Sequence, residues 1–419
     1  MEKISYIYDQ ANKCLNCVKP MCREKGCPLK TNIPKFISEI KSNNIERAYN
    51  ILQENNILSD ICSRVCPVHN QCMGKCVKGI KGEPVKINYL EHFVNEWAIE
   101  NNILYVPKIE KECNKKVAII GSGPAGIACA VELRKHGANV TIFEKEPKCG
   151  GILEYGIPDF RLNKKSIDRL IKQLELLNIE IKTNIEFGKD ITVDSLKKQG
   201  YDFIFLGIGA EKQSTYSLTT KETKDIYKSD DFLKMYNEGK YISNLGTVIV
   251  IGGGNVAMDA ARAAVTMGAN VVKILYRRNQ ELMPASAEEL QDAINDGVQM
   301  FFQTKVVSAD VFDGKVQKIE CIKTKIENDK AVDIENSNYF LNANTIIFAI
   351  GAKANDKILE SQNLETEYGL CKVDENYRTN IDWVYAGGDL VESKSSVAKA
   401  AATGKAAAQA ILNRKECDK

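Results

Sequence analysis

The sequence predicts an α/β fold in which a helical, cysteine-rich N-terminal region precedes two parallel-sheet domains, the second inserted into the first. Two observations predict the sheets: an apolar segment, a glycine-rich turn and an alanine-rich helix follow one another from 115 and again from 246. This succession is typical of the start of a βαβ unit. A third observation predicts that the chain returns to the first domain after the second copy. There the apolar segment DWVYAGGDL (382–390) ends in another glycine turn.

The chain is predicted to divide at three points. Residues 1–112 contain eight of the fourteen cysteines and little strand pattern, so we expect a helical domain, with helices starting near Pro34 and Val85. The first sheet domain is predicted from 113–212 together with 343–419, and the second from 213–342. Within the second, alternating residues around Asp313-Gly314 predict a β-hairpin.

The composition is that of an ordinary globular protein. Its 419 residues allow two or three domains, and a net charge of +2 gives no general attraction to nucleic acid or membranes. No apolar run approaches the ~20 residues that span a bilayer. The start, MEKISYIYDQANKC, lacks the apolar core of a signal peptide. We therefore expect a cytoplasmic protein whose dense cysteines bind metal and do not form disulfides.

The first glycine turn, GSGPAG (121–126), has the G-x-G-x-x-G pattern of a dinucleotide site. The first glycine permits the tight turn, the second admits a pyrophosphate, and the third lets the helix pack on the strand. The following strand, ANVTIFEK (138–145), ends in an acid that can accept hydrogen bonds from a ribose. The alternative is a glycine turn that only packs tightly. The candidate residues are Gly121, Gly123, Pro124, Ala125, Gly126, Glu144 and Lys145.

The second glycine turn, GGGNVA (252–257), is followed by a strand that ends in arginines, at the place where an NAD site has a carboxylate. Guanidinium groups pair with a phosphate that a carboxylate would repel, so this ending favours NADPH over NADH. The alternative is a solvated basic turn. The candidate residues are Gly252, Gly254, Asn255, Val256, Ala257, Arg277 and Arg278.

A third glycine turn, Gly387-Gly388-Asp389, lies between the last apolar segment and a predicted final helix at 396–412. Asp389 can bind the ribityl chain of a flavin, and the helix start near Val397 can direct its positive end at a flavin ring. GGD alone is also compatible with a simple turn.

The N-terminal cysteines form two groups, C-x2-C-x4-C-x4-C-P and C-x3-C-P-x4-C-x3-C. A proline directly after a ligand cysteine is typical of bacterial ferredoxin sequences, in which a cysteine of one group can serve the other cluster. No histidine pair follows at zinc-finger spacing. Two structural zinc sites remain the alternative to iron–sulfur clusters.

Together these motifs resemble the glutamate synthase small (beta) subunit family. The resemblance rests on CPLKTNIP, the second cysteine group, VAIIGSGPAGIACA, GGILEYGIPDFRL, VIVIGGGNVAMDAAR, LYRR, MPA and VYAGGD, and covers nearly the whole chain. The same pattern is shared by the large subunit of NADH-dependent ferredoxin:NADP oxidoreductase, sulfide dehydrogenase subunits and the N-terminal part of dihydropyrimidine dehydrogenase.

The resemblance implies one FAD, one NADP(H) and two [4Fe–4S] clusters with crossed ligation. It implies that a fourth ligand of the second cluster falls at Glu91, which leaves Cys62 spare; Glu91 can equally be a surface helix acid. The loop between Cys22 and Cys27 is one residue longer than the family pattern. The implied sets are Cys14, Cys17, Cys22 and Cys76 for one cluster, and Cys27, Cys66, Cys72 and Glu91 for the other.

The resemblance also implies that GGILEYGIP (150–158) lies along the flavin, with Gly151, Gly156, Ile157 and Pro158 beside it. No catalytic acid or base is predicted. We expect an oxidoreductase that passes electrons between NADP(H), FAD and the clusters, to or from a catalytic large subunit or a ferredoxin-like carrier. Glutamate synthesis is expected to need a large subunit, since no amidotransferase domain is recognised. The alternatives are a ferredoxin:NADP oxidoreductase or electron-bifurcating subunit, and a zinc-stabilised flavoprotein that only docks a partner.

Overall fold

The computed structural model describes residues 2–210, 212–392 and 395–414 and divides into two compact units. The first comprises, within those limits, Met1–Glu154, Phe160–Glu211 and Lys353–Lys419, and the second comprises Tyr155–Asp159 and Lys212–Ala352. No helix in the described part of the chain is long and apolar enough to cross a membrane.

The N-terminal region of the first unit is helical, as predicted. Its helices are α1 (Glu2–Asn12), α2 (Ile33–Lys41), α3 (Ile45–Asn55), α4 (Ser59–Val65) and α5 (Ile87–Glu100). Apolar side chains of these helices form one core, in which Phe36, Ile37, Ile40 and Leu52 are fully buried. The cysteine loops lie between these helices, and one short π-helical turn, Cys22–Gly26, occurs within the first group.

The first sheet begins with the predicted βαβ unit. Its elements are β1 (Lys116–Ile120), α6 (Pro124–Lys135), β2 (Asn139–Phe143), α7 (Ile152–Tyr155), α8 (Lys164–Leu176), β3 (Glu180–Lys182), α9 (Val193–Lys198) and β4 (Phe203–Leu206). The strands pair in parallel, β1 lying between β2 and β4. The carboxyl end of β1 therefore opens directly into the GSGPAG turn.

The second unit has its own parallel sheet of five strands. The elements of this unit are β5 (Lys212–Gln213), β6 (Ile226–Lys228), α10 (Ser229–Asn237), β7 (Thr247–Gly252), α11 (Asn255–Thr266), β8 (Val271–Tyr276), α12 (Ala287–Asn295), β9 (Gln299–Phe302), β10 (Thr304–Phe312), β11 (Lys315–Glu327), β12 (Lys330–Asp333), β13 (Tyr339–Asn342) and β14 (Thr345–Ala349). The order of strands in the parallel sheet is β6-β14-β7-β8-β9. The predicted hairpin is confirmed: β10 and β11 are antiparallel and are joined by Asp313 and Gly314, both at positive φ.

The predicted boundary at 342/343 is wrong. Strand β14 was assigned to the first sheet domain, but it pairs with β6 and β7, and the second unit extends to Ala352. All five residues of β14 are buried. A buried apolar strand has the same pattern in either sheet, so only the pairing assigns it. Residues 155–159 also belong to the second unit, where Asn237 donates to the carbonyl of Tyr155.

The chain then returns to the first unit. The remaining elements are β15 (Ala352–Lys353), α13 (Asp356–Ser361), β16 (Thr366–Glu367), β17 (Leu370–Cys371), β18 (Val384–Ala386) and α14 (Val397–Asn413). Strand β18 pairs in parallel with β4 and completes the order β18-β4-β1-β2-β3. The GGD turn at the end of β18 therefore lies at the same edge of the sheet as GSGPAG.

Candidate functional site

One group of thiols joins the two cysteine motifs. Cys14, Cys17 and Cys22 come from the first motif and Cys76 from the end of the second. Burial raises the pKa of Cys22 to about 12, and its neighbours Cys76, Cys14 and Cys17 contribute. The pKa of Cys14 is raised by burial and also by Cys17 and Cys76. These four side chains are close enough to interact as charges, which matches the first implied ligand set.

A second group lies in one cavity lined by Cys27, Cys62, Cys66, Cys72 and Glu91. Burial raises the pKa of Cys72, and Glu91 and Cys27 add to this shift. For Cys66 the first cause of a raised pKa is the hydrogen bond with Cys62. The cavity thus holds the second implied ligand set together with Cys62.

Burial and repulsion from neighbouring groups raise the pKa values of five of these thiols, which disfavours their anions when only protein surrounds them. The five are Cys14, Cys22, Cys27, Cys66 and Cys72. A bound metal or cluster with positive iron ions reverses this preference and holds thiolates. Four sulfurs in one group, and three sulfurs with a carboxylate or a fourth sulfur in the other, fit cluster ligands in number and type.

The residue that the family resemblance counts as extra between Cys22 and Cys27 falls in the π-helical turn. The backbone N–H of Cys27 donates to the carbonyl of Cys22, five residues earlier, at 2.8 Å. The wider turn takes up one residue and Cys27 still lines the second cavity. Gly26 permits this approach: a Cβ there would lie 2.8 Å from the Cα of Cys72.

Glu91 is held by a network of polar side chains. Ser59 donates to Glu91 Oε1 at 2.8 Å, and Asn95 donates both to Ser59 Oγ and to the Glu91 carbonyl. Ser59 is fully buried and Asn95 nearly so. Burial raises the pKa of Glu91 to about 7. Glu91 is half-buried, and its hydrogen-bonded carboxylate lies at the cavity.

The second cavity touches the sheet domain of the same unit. Ala398, in the first turn of α14, lines it together with the thiols. The side-chain amide of Gln71 donates to Ser396 Oγ at 2.8 Å, and Ser396 in turn caps α14 by accepting from Lys399 N. The loop that carries Cys72 is thus bound to the N-terminus of the helix that follows the GGD turn.

The GSGPAG turn has the geometry that a dinucleotide requires. A Cβ at Gly126 would lie 2.0 Å from the Gly121 carbonyl oxygen, so α6 packs too closely on the strand for any side chain there. Gly123 has no atom within 4 Å of such a Cβ, which leaves open space in front of the α6 N-terminus. Gly151, at positive φ, lies against Gly123 on one side of this space. Pro124 and Ala125 form the first turn of α6.

Glu144 lies at the end of β2 and is 4% exposed. It accepts hydrogen bonds from the backbone N–H and the hydroxyl of Ser122, and from Glu146 N. The Ser122 hydroxyl also accepts from Gly150 N. These bonds leave the carboxylate able to accept further donors. Lys145, the next residue, is exposed.

The GGD turn packs against the same helix start. Gly388 N donates to Thr403 Oγ1 at 2.7 Å, and a Cβ at Gly404 would lie 2.0 Å from the Ala125 carbonyl oxygen, so α14 contacts α6 closely. Burial raises the pKa of Asp389, and a hydrogen bond with Ser395 partly offsets this. Val397 begins α14. Asp389, Val397, Gly123 and Glu144 therefore all belong to the same sheet edge.

In the second unit, the GGGNVA turn connects β7 to α11 and fits a second nucleotide. A Cβ at Gly253 would contact the ring of Tyr276 at 2.4 Å, whereas Gly254 faces open space. Asn255 Oδ1 accepts from Ser286 N, which fixes the loop after β8. Val256 and Ala257 continue α11 beyond Asn255, and Gly252 ends β7.

The two arginines after β8 have hydrogen-bonding capacity left for a ligand. Arg277 is exposed, and its carbonyl accepts from Thr324 Oγ1. Arg278 is half-buried, and its Nε is a buried donor without a hydrogen-bond partner in the described structure. A buried unpaired guanidinium donor is costly, and an anionic group such as a phosphate would satisfy it.

Gly156, Ile157 and Pro158 lie in the segment that belongs to the second unit, beside α10. Sequence reasoning missed Ser59, Gln71 and Ser122, which hold candidate ligands or loops in place. The serine inside G-S-G was visible in the motif. No sequence signal identified Ser59 or Gln71, because their partners lie far away in the chain.

Among the described residues one further group, Asp60, His92 and Glu96, has metal-ligand atoms within 4.8 Å of one another. Arg64 pairs with both carboxylates of this group. Its guanidinium already supplies the positive charge that a cation would bring.

Comparison with known proteins agrees with this arrangement. The family model described as pyridine nucleotide-disulphide oxidoreductase matches residues 115–404. The model described as dihydropyrimidine dehydrogenase domain II, 4Fe-4S cluster, matches residues 2–103. The two models therefore divide the chain where the helical region ends and the first sheet begins.

Curated relatives align over almost the whole chain. The glutamate synthase [NADPH] small chain of Escherichia coli K12 is 32% identical over 96% of this chain and 90% of its own length. The dihydropyrimidine dehydrogenase subunit PreT of the same strain, described as NAD-dependent, is 33% identical over 96% and 92%. The putative oxidoreductase AegA is 32% identical, and this chain spans 65% of its length.

Solved structures share the fold of the sheet domains. Mycobacterium tuberculosis FprA in complex with NADPH superimposes with a TM-score of 0.62 at 18% identity, over 72% of this chain and 84% of FprA. The thioredoxin reductase of T. acidophilum gives a TM-score of 0.51 at 17% identity, over 71% of this chain and 98% of the reductase. At this identity the likeness concerns the fold alone.

Proposed function

Because this chain belongs to the pyridine nucleotide-disulphide oxidoreductase family, and within it to the relatives of the glutamate synthase small chain, we propose that it passes electrons between NADP(H), FAD and two [4Fe–4S] clusters. That it is an NAD(P)H-dependent flavin oxidoreductase with a 4Fe-4S domain follows from its family. The number of clusters, their ligands and the partner are our proposal.

The observation that carries the proposal is the contact between the second thiol cavity and α14. Ala398 lines that cavity, and Gln71 holds Ser396 at the start of the same helix. The GGD turn that precedes α14 lies at the edge of the sheet where GSGPAG opens. A cluster in the cavity and a flavin at this edge would therefore share one helix N-terminus.

Two ligand sets are proposed from the two thiol groups. Cys14, Cys17, Cys22 and Cys76 would hold the first cluster. Cys27, Cys66, Cys72 and Glu91 would hold the second, since Ser59 fixes the Glu91 carboxylate at the cavity. Cys62 lines the same cavity and is the alternative fourth ligand.

For FAD, the space in front of Gly123 would take the pyrophosphate, with Glu144 on the ribose and Asp389 on the ribityl chain. The N-terminal end of α14 at Val397 would favour negative charge on the ring. Bound FAD supplies the chemistry that accepts an electron pair from a nicotinamide and releases electrons singly. The protein contributes position and electrostatics, and no side chain is proposed as a general acid or base.

For the nicotinamide nucleotide, Gly254 would admit the pyrophosphate and Arg277 and Arg278 the 2′-phosphate. The unpaired Nε of Arg278 supports NADPH. One relative is described as NADPH-dependent and another as NAD-dependent, so the family alone does not decide the choice.

The partner is proposed to be a catalytic large subunit, as the description of the glutamate synthase small chain indicates for that relative. A ferredoxin:NADP oxidoreductase is the second candidate within the same chemistry. A zinc-stabilised scaffold is not favoured, because the chain matches a 4Fe-4S family model over residues 2–103.

The proposal is tested by adding NADPH to the anaerobically purified protein and recording the visible spectrum. We expect about eight iron atoms per chain, flavin absorption, and bleaching of both the flavin and the iron–sulfur bands. Zinc with a flavin-only spectrum would contradict electron transfer through clusters. About four iron atoms would reduce the proposal to one cluster.

A further inference from the structure

Three apolar side chains beside the first thiol group are exposed to solvent. Leu15 is 62% exposed, Val18 99% and Ile80 78%. Single exposed apolar residues are normal on a protein surface. These three, however, lie next to cysteines of a single group: Leu15 and Val18 follow Cys14 and Cys17, and Ile80 ends the turn that begins after Cys76. We call them the apolar patch.

The two segments that form the apolar patch meet at the first thiol group. Cys14 and Cys76 pack against the same hydrophobic core, and Gly79 N donates to the Cys76 carbonyl, which keeps the turn before Ile80 tight. On the other side of the patch, Val18 and Cys17 line one surface hollow together with Arg23 and Lys35. Apolar contact and positive charge therefore occur side by side.

The chain segments that carry the apolar patch are strongly basic. Residues 13–30 and 75–81 contain eight lysines and arginines and one acid, whereas the whole chain has 57 basic and 55 acidic residues. The single acid, Glu24, already lies 3.7 Å from Arg23. The basic residues are Lys13, Lys19, Arg23, Lys25, Lys30, Lys75, Lys78 and Lys81. We call them the basic rim.

Access from outside differs between the two thiol groups. In the second group Cys72 is 9% exposed and Cys27 and Cys66 are half-buried, and α14 covers part of their cavity. All four cysteines of the first group are half-buried, and the exposed residues of the apolar patch lie beside them in the chain. A protein that exchanges electrons with the chain can therefore approach the first group more closely than the second.

We propose that the apolar patch and basic rim are the docking surface of an acidic, one-electron carrier protein, which exchanges electrons with the first cluster. The inference rests on the proposed electron transfer, with a ferredoxin-like carrier, as in the second candidate function, in place of a permanently bound large subunit. A small apolar centre with a charged rim is typical of weak, transient electron-transfer contacts, and the rim speeds association with a partner of opposite charge. The overall reaction converts two reduced carriers, NADP⁺ and one proton into two oxidised carriers and NADPH, or runs in the reverse direction.

The test uses a plant-type [2Fe–2S] ferredoxin, which is acidic, as the carrier. Reduced ferredoxin is mixed with the oxidised holoprotein in an anaerobic stopped-flow instrument, and its reoxidation is followed at low and high ionic strength. We expect the second-order rate constant of the wild-type protein to fall steeply with salt. In the double variant Lys19→Glu/Lys81→Glu, the rate constant at low salt should be lower by about tenfold or more, and it should depend little on salt.

The matched control is Lys315→Glu/Lys330→Glu, which makes the same charge change at two exposed lysines of the second unit. Its rate constant should stay within about twofold of the wild type, because screening removes distant charges. Val18→Asp should slow transfer at both salt concentrations, since it places a charge in the apolar centre.

An unchanged rate constant in Lys19→Glu/Lys81→Glu, or an equal fall in the control, would overturn the docking surface. So would a salt-independent reaction of the wild type, which a permanently bound subunit would give. If ferredoxin fails to react while NADPH still bleaches the iron–sulfur bands, the surface is refuted and the proposed function stands. If NADPH does not bleach them, both are refuted.

Discussion

The side chain of Gln71 donates a 2.8 Å hydrogen bond to the hydroxyl of Ser396, although 325 positions separate them in the chain. Gln71 directly precedes Cys72, and Ser396 directly precedes α14. The bond therefore fixes the second thiol cavity to the helix start that we propose for the flavin site. Gln71 is 6% exposed and Ser396 is half-buried, so the bond is partly shielded from water.

Breaking this bond should weaken the contact between the two sites. We expect Gln71→Leu and Ser396→Ala each to lower the free energy of unfolding by about 1 kcal/mol, with Ser396→Ala also losing a helix cap. The double variant should lower the free energy of unfolding by less than the sum of the two single changes. A double-mutant cycle from denaturation followed by flavin fluorescence measures the coupling. Additive effects would show that the two side chains do not interact in solution.

Ser59 is predicted to position Glu91. Ser59→Ala removes the 2.8 Å hydrogen bond to the carboxylate, so the electron paramagnetic resonance signal and potential of one cluster should shift while iron content is retained. Ser63→Ala is the control on the same helix, because Ser63 donates only to the Asp60 carbonyl. Equal spectra for Ser59→Ala and wild type would argue against Glu91 as a ligand.

Gly26→Ala should disturb the second cluster. The new Cβ would lie 2.8 Å from the Cα of Cys72, a backbone atom that cannot move without displacing the cysteine. We expect loss of up to about half of the iron. Gly82→Ala serves as control, since its nearest neighbour is the Lys78 carbonyl oxygen at 3.9 Å. Full iron content in Gly26→Ala would mean that the π-helical turn is adaptable.

The arginines after β8 are predicted to select NADPH. Arg277→Ala and Arg278→Ala should each raise the KM for NADPH by about 10- to 100-fold, since a charge-assisted bond contributes roughly 1.5–3 kcal/mol. The KM for NADH should change little. Lys305→Ala, which removes an exposed lysine paired with Asp333 in the same unit, is the control. Equal losses for both nucleotides would assign the arginines a role other than phosphate binding.

Cys149 is predicted to be unreactive. Burial raises its pKa from 9.0 to about 11, so the thiol stays protonated at pH 8. The stability it contributes is complete below pH 9 and is lost as the pH rises through about 11. Iodoacetamide labelling of the folded holoprotein at pH 8, read by peptide mass spectrometry, should modify half-buried Cys113 well before Cys149. Rapid labelling of Cys149 would contradict this and would indicate a reactive thiol.

Local patterns predicted much of this molecule. The buried strands before GSGPAG and GGGNVA, the Asp313-Gly314 hairpin and the final helix are all determined by residues close together in the sequence, and the structure contains each of them. The placement of β14 could not be predicted, because strand pairing depends on contacts across the chain. Ser59 and Gln71 could not be identified from the sequence for the same reason, because their partners are 32 and 325 positions away.

The π-helical turn at Cys22–Gly26 bears on how such proteins are recognised from sequence. A pattern that fixes the number of residues between ligand cysteines treats one extra residue as the loss of a site. Here the backbone widens by one residue and the next thiol still lines its cavity. Spacing rules for cluster-binding chains should therefore tolerate an insertion wherever a helical turn can broaden, and gene searches that forbid it will overlook functional members.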